Sequence, residues 1–222
     1  EQLRMETADF QRYDLSPDRR WMAAVVQATA GTELRIYDLR DGQQYTWLRG
    51  ELIRQPLWST TGQELMLAVR DTSRWAILRG APGSGKLPDT LALFPADPTS
   101  PDPIDFHDPH SALAADWEGS VIFRFDPALA HPKLDTLLTG ARFSSVSPNG
   151  KFLVYQALDG SRILVTSHPV PGRLWQLASG GVEPLWLSDS EVLYRLGITW
   201  YVVRINPATG ESLGPPTLWA RD

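Results

Sequence analysis

The sequence predicts an all-β fold: a β-propeller of four-stranded antiparallel blades, five of them visible. Two observations carry this. Trp58 and Trp186 lie 128 residues apart, and so do Trp47 and Trp175. A serine-led turn also precedes an apolar run at Ser16, Ser59, Ser147 and Ser188. The first two serines are 43 residues apart, the last two 41, and the central gap of 88 holds two units. The tryptophan offset then spans three units. A period of about 40–45 residues with four short strands is that of a propeller blade. One such sheet cannot cover both of its apolar faces, so neighbouring blades must stack, with Trp and Leu filling the wedge between them.

In the first unit the strands are read at Gln11–Leu15, Trp21–Ala28, Glu33–Leu39 and Gln43–Leu48, with Asp41-Gly42 as a hairpin signal. These runs are too short for helices and rich in strand formers. The second unit carries Leu65–Val69, Trp75–Arg79 and Leu91–Phe94. The third is degenerate, with Phe106-His107-Asp108-Pro109-His110 where the others have Trp-Ser and a turn. The fourth is the clearest: Ala141–Val146, Phe152–Leu158, Ile163–Ser167 and Arg173–Ala178, with turns at Asn149-Gly150 and Asp159-Gly160. The fifth runs through Val182–Leu187, Glu191–Leu196, Thr199–Asn206 and Pro216–Ala220. The expected blades are roughly 7–50, 51–94, 95–140, 141–179 and 180–222, forming one domain. The alternative is a six-bladed propeller with one blade missing or cryptic, and Glu1–Phe10 could supply a closing strand.

Composition narrows the function classes. Apolar residues make up 42% of the 222 and charged residues 21%, a globular rather than disordered balance. A net charge of −5 argues against a general nucleic-acid binder. No apolar run is long enough for a transmembrane helix, and Glu1–Arg4 do not read as a signal peptide. The absence of cysteine removes disulfides, thiol nucleophiles and Cys-ligated zinc.

Ser147-Pro148-Asn149-Gly150-Lys151-Phe152-Leu153-Val154-Tyr155, followed by Ser179-Gly180-Gly181-Val182-Glu183-Pro184-Leu185-Trp186, resembles the TolB-like family of β-propellers, also written as the PD40 or tricorn-like type. The stretch Trp200–Pro207 is similar to propeller segments attached to bacterial serine/threonine kinases and regulators. Pro17-Asp18 and Trp58-Ser59 extend the resemblance into the first half, and residues 95–139 depart from it. The resemblance implies a sensor domain or accessory subunit, with a periplasmic or extracytoplasmic location favoured. It carries over no catalytic residue.

Several motifs invite chemistry. Gly80-Ala81-Pro82-Gly83-Ser84-Gly85-Lys86 has phosphate-loop spacing, but Leu87-Pro88 replaces the magnesium-binding Ser or Thr and opposes a following helix. Asp97, Asp102, Asp105, His107, Asp108 and His110 could ligate a divalent ion. Pro109 breaks the helical spacing that His107 and His110 would use, so a proline-stiffened loop with a binding surface is the preferred reading. Only four histidines exist and no G-x-S-x-G elbow occurs, which disfavours a serine triad. Asp14, Asp116 or Glu183 could stand near a central channel, with nothing to orient them together. Trp47, Trp58, Trp175 and Trp186 recur and are read as core wedges. Trp75, Trp117, Trp200 and Trp219 do not.

The expected function is therefore a non-catalytic recognition module that docks a protein partner or parent multidomain protein, with no cofactor, metal or catalytic residue. Its candidate partner-binding residues are Trp75, Asp105, His107, His110, Trp117, Trp200 and Trp219. The alternatives are a small-ligand or carbohydrate binder at the channel mouth, and a hydrolase or peptidase-associated propeller.

Overall fold

The computed structural model describes residues 9–95, 101–108, 111–116, 121–129 and 132–221. Its strands form five four-stranded antiparallel blades in a propeller arrangement, with no helix among the described residues. The first blade is β1 (Phe10–Leu15), β2 (Trp21–Ala28), β3 (Gly31–Asp38) and β4 (Gln44–Gly50). The second is β5 (Leu52–Trp58), β6 (Leu65–Arg70), β7 (Arg74–Gly80) and β8 (Asp89–Pro95). The third is β9 (Pro101–Asp108), β10 (Ser111–Asp116), β11 (Val121–Phe125) and β12 (Asp135–Thr139). The fourth is β13 (Ala141–Val146), β14 (Phe152–Ala157), β15 (Arg162–Ser167) and β16 (Leu174–Ser179). The fifth is β17 (Val182–Ser188), β18 (Glu191–Leu196), β19 (Thr199–Arg204) and β20 (Thr217–Arg221). Strands follow chain order in every sheet, as hairpin connections require. Expected strands fall within a few residues of these bounds. β19 stops at Arg204 because Asn206 starts a turn, accepting the Gly210 N–H on its carbonyl and the Ala208 N–H on its side chain. Of the proposed closing segment Glu1–Phe10, residues 1–8 lie outside the described residues, and Phe10 begins β1 and pairs with Val26 within the first blade.

The serine motif has a physical cause. Ser147 is fully buried. Its hydroxyl donates to Asn149 Oδ1 at 2.9 Å and accepts the Phe152 N–H at 3.0 Å. Its own N–H donates to the Phe152 carbonyl. Ser16 repeats this with Asp18 at 2.6 Å and the Trp21 N–H at 2.9 Å, and Ser59 with Thr61 and the Glu64 N–H. Each serine clamps the turn between a blade's first and second strands. Its partner two residues on is a short polar side chain for that reason.

By internal contacts the chain divides into two compact units, one of residues 1–114 with 125–134, the other of 115–124 with 135–222. In the first unit, Ala23, Val25, Leu34 and Ile36 of the first blade pack against Ile53, Trp58, Leu65 and Leu67 of the second. In the second unit, Phe152, Val154, Ile163, Val165 and Leu177 of the fourth blade pack against Val192, Tyr194, Val203 and Ile205 of the fifth. Trp58 and Trp186 occupy matching places, each near the end of a blade's first strand and turned back towards the preceding blade. Trp47 and Trp175 also share a face, joining the layer towards the following blade. They differ in register: Trp175 pairs with Val165, whereas Trp47 is left unpaired by a bulge between the partners of Leu34 and Arg35.

Candidate functional site

Each outer strand carries a bulge at the same point. The residue it leaves unpaired is Trp47 in β4, Leu91 in β8, Leu137 in β12, Leu177 in β16 and Trp219 in β20. In a bulge two residues oppose one, so the ladder breaks and neighbouring side chains can share a face. Trp47 with Leu48 lies in the layer between the first two blades, and Leu177 with Ala178 in the layer between the last two. Leu91 is 5% exposed, Leu137 half-buried, and Trp219 59% exposed. The fifth-blade indole is the exception.

Around it the second unit gathers a mixed surface. Ala220 pairs with Trp200, and Arg221 with Thr199. The register sets Trp219, Ala220 and Trp200 on the face of the fifth blade turned away from the fourth. Arg195 pairs with Trp200 across β18 and β19, and its guanidinium stands 6.0 Å from that indole. Arg195 also meets Glu183 at 3.1 Å, and Arg204 meets Glu191 at 3.2 Å. Between these rows Leu193 and Val202 are buried. At the adjoining hairpin tip Leu196 and Ile198 are exposed, Ile198 by 68%.

A second polar cluster lies in the first unit, where β1, β5 and β9 run side by side. Asp14 accepts the Trp58 N–H at 2.8 Å, tying the first blade to the second, and the Leu15 N–H at 2.9 Å. Burial pushes its carboxyl above the ordinary 3.8, and those two hydrogen bonds oppose the rise. The Arg54 guanidinium stands 3.7 Å from Asp102. Burial lowers its pKa, Asp102 opposes this, and Arg12 adds to it. Among the described residues no three His, Asp or Glu side chains gather as metal ligands would.

Asp105 is buried in β9. Trp75 is 4% exposed, because β7 turns it and Ile77 onto the face opposite Leu78, which packs towards the first blade. Trp200 is half-buried and Trp219 exposed. His110, Trp117 and the His107 side chain lie outside the described residues, as does Asp97. Asp14 lies in the first unit, and Asp116 and Glu183 in the second. Residues 80–86 join β7 to β8. The segment is a strand-to-strand loop, without the helix N-terminus that a phosphate site uses. The sequence reading missed the bulge pairs Trp47-Leu48, Leu91-Ala92, Leu137-Leu138, Leu177-Ala178 and Trp219-Ala220. Their recurrence every 40–46 residues was the available signal.

No family model matches the sequence, and no curated protein does. Solved structures do match. The chain superposes on TolB from Acinetobacter baumannii with a TM-score of 0.68 at 16% identity, over 90% of this chain and 52% of that one. The fold is a β-propeller, consistent with the TolB-like propellers. This chain spans about half the length of that TolB. The β-propeller domain of Myceliophteria thermophila Cps50 (Swd1) superposes at 0.69 and 14% identity, over 96% of this chain and 72% of that one. Oligogalacturonate lyase from Vibrio parahaemolyticus superposes at 0.68 and 9% identity, over 96% of this chain and 67% of that one. The propeller fold is thus shared with an enzyme, and function has to be argued from the surface.

Proposed function

We propose that this propeller is a non-catalytic recognition module that docks a protein partner, as the sensor domain or accessory subunit of a larger bacterial, extracytoplasmic assembly. The observation that carries the reading is Trp219. Trp219 is exposed at a bulge position where the first blade half-buries Trp47 and the second and fourth bury Leu91 and Leu177, and beside Trp200, Arg195 and an apolar hairpin tip it gives the Trp-and-Arg composition of docking surfaces. Large exposed apolar groups gathered in one place mark interaction sites more often than scattered ones do. The resemblance of residues 147–155 and 179–186 to the TolB-like family supports the sensor or accessory-subunit context, and the acidic charge speaks against nucleic acid.

The test is co-purification from the source organism with a tag on the intact protein. The wild-type protein is expected to bring down a stoichiometric companion that Trp219→Arg loses. The variant should keep its melting temperature, because the side chain it removes packs against little. A wild-type protein that elutes alone, at native abundance and low salt, ends the reading.

A further inference from the structure

A cavity of about 570 Å³ opens within the first unit, at the outer strand of the second blade. Ala76 of β7 and Leu91, Ala92 and Leu93 of β8 line it, joined by Pro132 from the connection between β11 and β12. Leu91 and Ala92 are buried, whereas Leu93 is 49% exposed and stands at the mouth. Small-molecule sites have volumes of about 300–1,000 Å³ and combine an apolar lining with a few polar groups.

Two charged side chains supply the polar part here. Asp71, in the turn between β6 and β7, and Arg74, the first residue of β7, line the same cavity. Asp71 Oδ1 accepts the Ser73 N–H at 2.8 Å, the Ser73 hydroxyl at 3.0 Å and the Arg74 N–H at 2.9 Å. Those bonds hold the carboxyl below the ordinary 3.8, so it is ionised at neutral pH. Its Oδ2 stands 3.8 Å from Arg74 Nε, too far for a hydrogen bond. The pairs of the first blade are closed by comparison, Arg20 meeting Asp38 and Arg49 meeting Glu33 at 2.8 Å. Opposite charges thus stand side by side at the cavity with hydrogen-bonding capacity to spare.

We propose that this cavity binds a free α-amino acid with an apolar side chain. The ligand's carboxylate meets Arg74, its ammonium meets Asp71, and its side chain covers Leu91, Ala92 and Leu93. Three features argue for that class. Only a zwitterion satisfies both charges, since a plain carboxylic acid would face Asp71 and a plain amine Arg74. The 3.8 Å between Arg74 Nε and Asp71 Oδ2 suits an ammonium and a carboxylate carried on one α-carbon. A dipeptide carries them on two, which already lie about 3.8 Å apart across a trans peptide. The lining is hydrocarbon, which favours a leucine or phenylalanine ligand over glycine by the area each removes from water. The site lies in the other unit from Trp219 and does not rest on the docking reading.

Isothermal titration of the intact protein with L-leucine and L-phenylalanine tests the proposal. Saturable binding is expected, with a dissociation constant below about 1 mM. Glycine, N-acetylleucine, leucine amide and leucyl-leucine should each bind at least tenfold more weakly. Arg74→Gln and Asp71→Asn should each weaken leucine binding at least tenfold, through loss of a charge-assisted hydrogen bond. Both side chains are more than half exposed, and asparagine keeps the acceptor that the turn uses, so both variants are expected to fold. If either does not, Leu93→Glu at the mouth carries the same expectation. Trp219→Arg should bind leucine as the wild type does, so this proposal and the docking reading fail separately. No saturable binding of either amino acid overturns the proposal. So does equal affinity for N-acetylleucine or leucine amide, or normal binding by the Arg74→Gln and Asp71→Asn proteins.

Discussion

Asp14 shows what a single side chain contributes between blades. Its carboxylate receives the Trp58 N–H of the neighbouring sheet, yet burial makes ionisation unfavourable there, and folding raises its pKa above 3.8. A raised folded pKa means the native state binds the proton more tightly. The stability this group contributes is full below the unfolded value and declines as the pH climbs through the folded one. Asp14→Asn keeps an acceptor for Trp58 and removes the charge. It is expected to match or exceed wild-type stability at neutral pH and to remove from the urea midpoint the loss that Asp14 contributes as the pH rises above the ordinary carboxylate value of 3.8. Asp14→Ala leaves a part-buried N–H unmet and should cost about 1–3 kcal/mol at any pH. A wild-type midpoint that gains on that of Asp14→Asn as the pH rises across that window would contradict the assignment, the rise due to carboxylates such as Glu33 and Asp38 being common to both proteins. Serine clamps such as Ser147 were legible in the sequence because their partners lie within five residues. The Asp14–Trp58 bond was not, because its ends are 44 residues apart and join different sheets.

Elements were legible for the same reason of range. β-Propensity and turn chemistry act over a few residues, so β13 to β16 and their turns at Asn149-Gly150 and Asp159-Gly160 could be placed from local pattern. Bulges depend on pairing register, which no single strand encodes, and so Trp47 and Trp175 looked equivalent when their ladder positions differ. The third blade was obscured by its own composition, since Pro101 and Pro103 stand inside β9, where prolines argue against a strand. Gly210 tests how closely the fifth blade packs on Phe152 and Trp175 of the fourth. Its φ is +80°, and a side chain there would strike Phe152 and Trp175. Gly210→Val should cost about 2–4 kcal/mol, from overpacking together with left-handed strain. Gly42 shares the positive φ but meets nothing within 4 Å, so Gly42→Ala should cost only about 1–2 kcal/mol. Equal losses on urea unfolding would assign both effects to backbone strain and remove the contact argument.

At the scale of the whole molecule, the net charge of −5 and the neutral character of the docking face pull in different directions. Long-range repulsion slows the approach of another acidic protein and is screened by salt, with a Debye length near 8 Å at about 0.15 M. The face itself holds Glu183–Arg195 and Glu191–Arg204 as pairs already formed, which leaves little charge to satisfy across an interface. Exposed pairs of this kind contribute at most about 1 kcal/mol. Affinity should therefore come from covering Trp219, Ile198 and Leu196. Between about 50 and 300 mM salt the dissociation constant of the purified complex is expected to change less than threefold, with any change appearing in the association rate. Trp219→Ala should act on the dissociation rate instead, as loss of a buried anchor does. A steep salt dependence with an unchanged off-rate in that variant would mean that opposite charges, rather than the unburied indole, hold the partner.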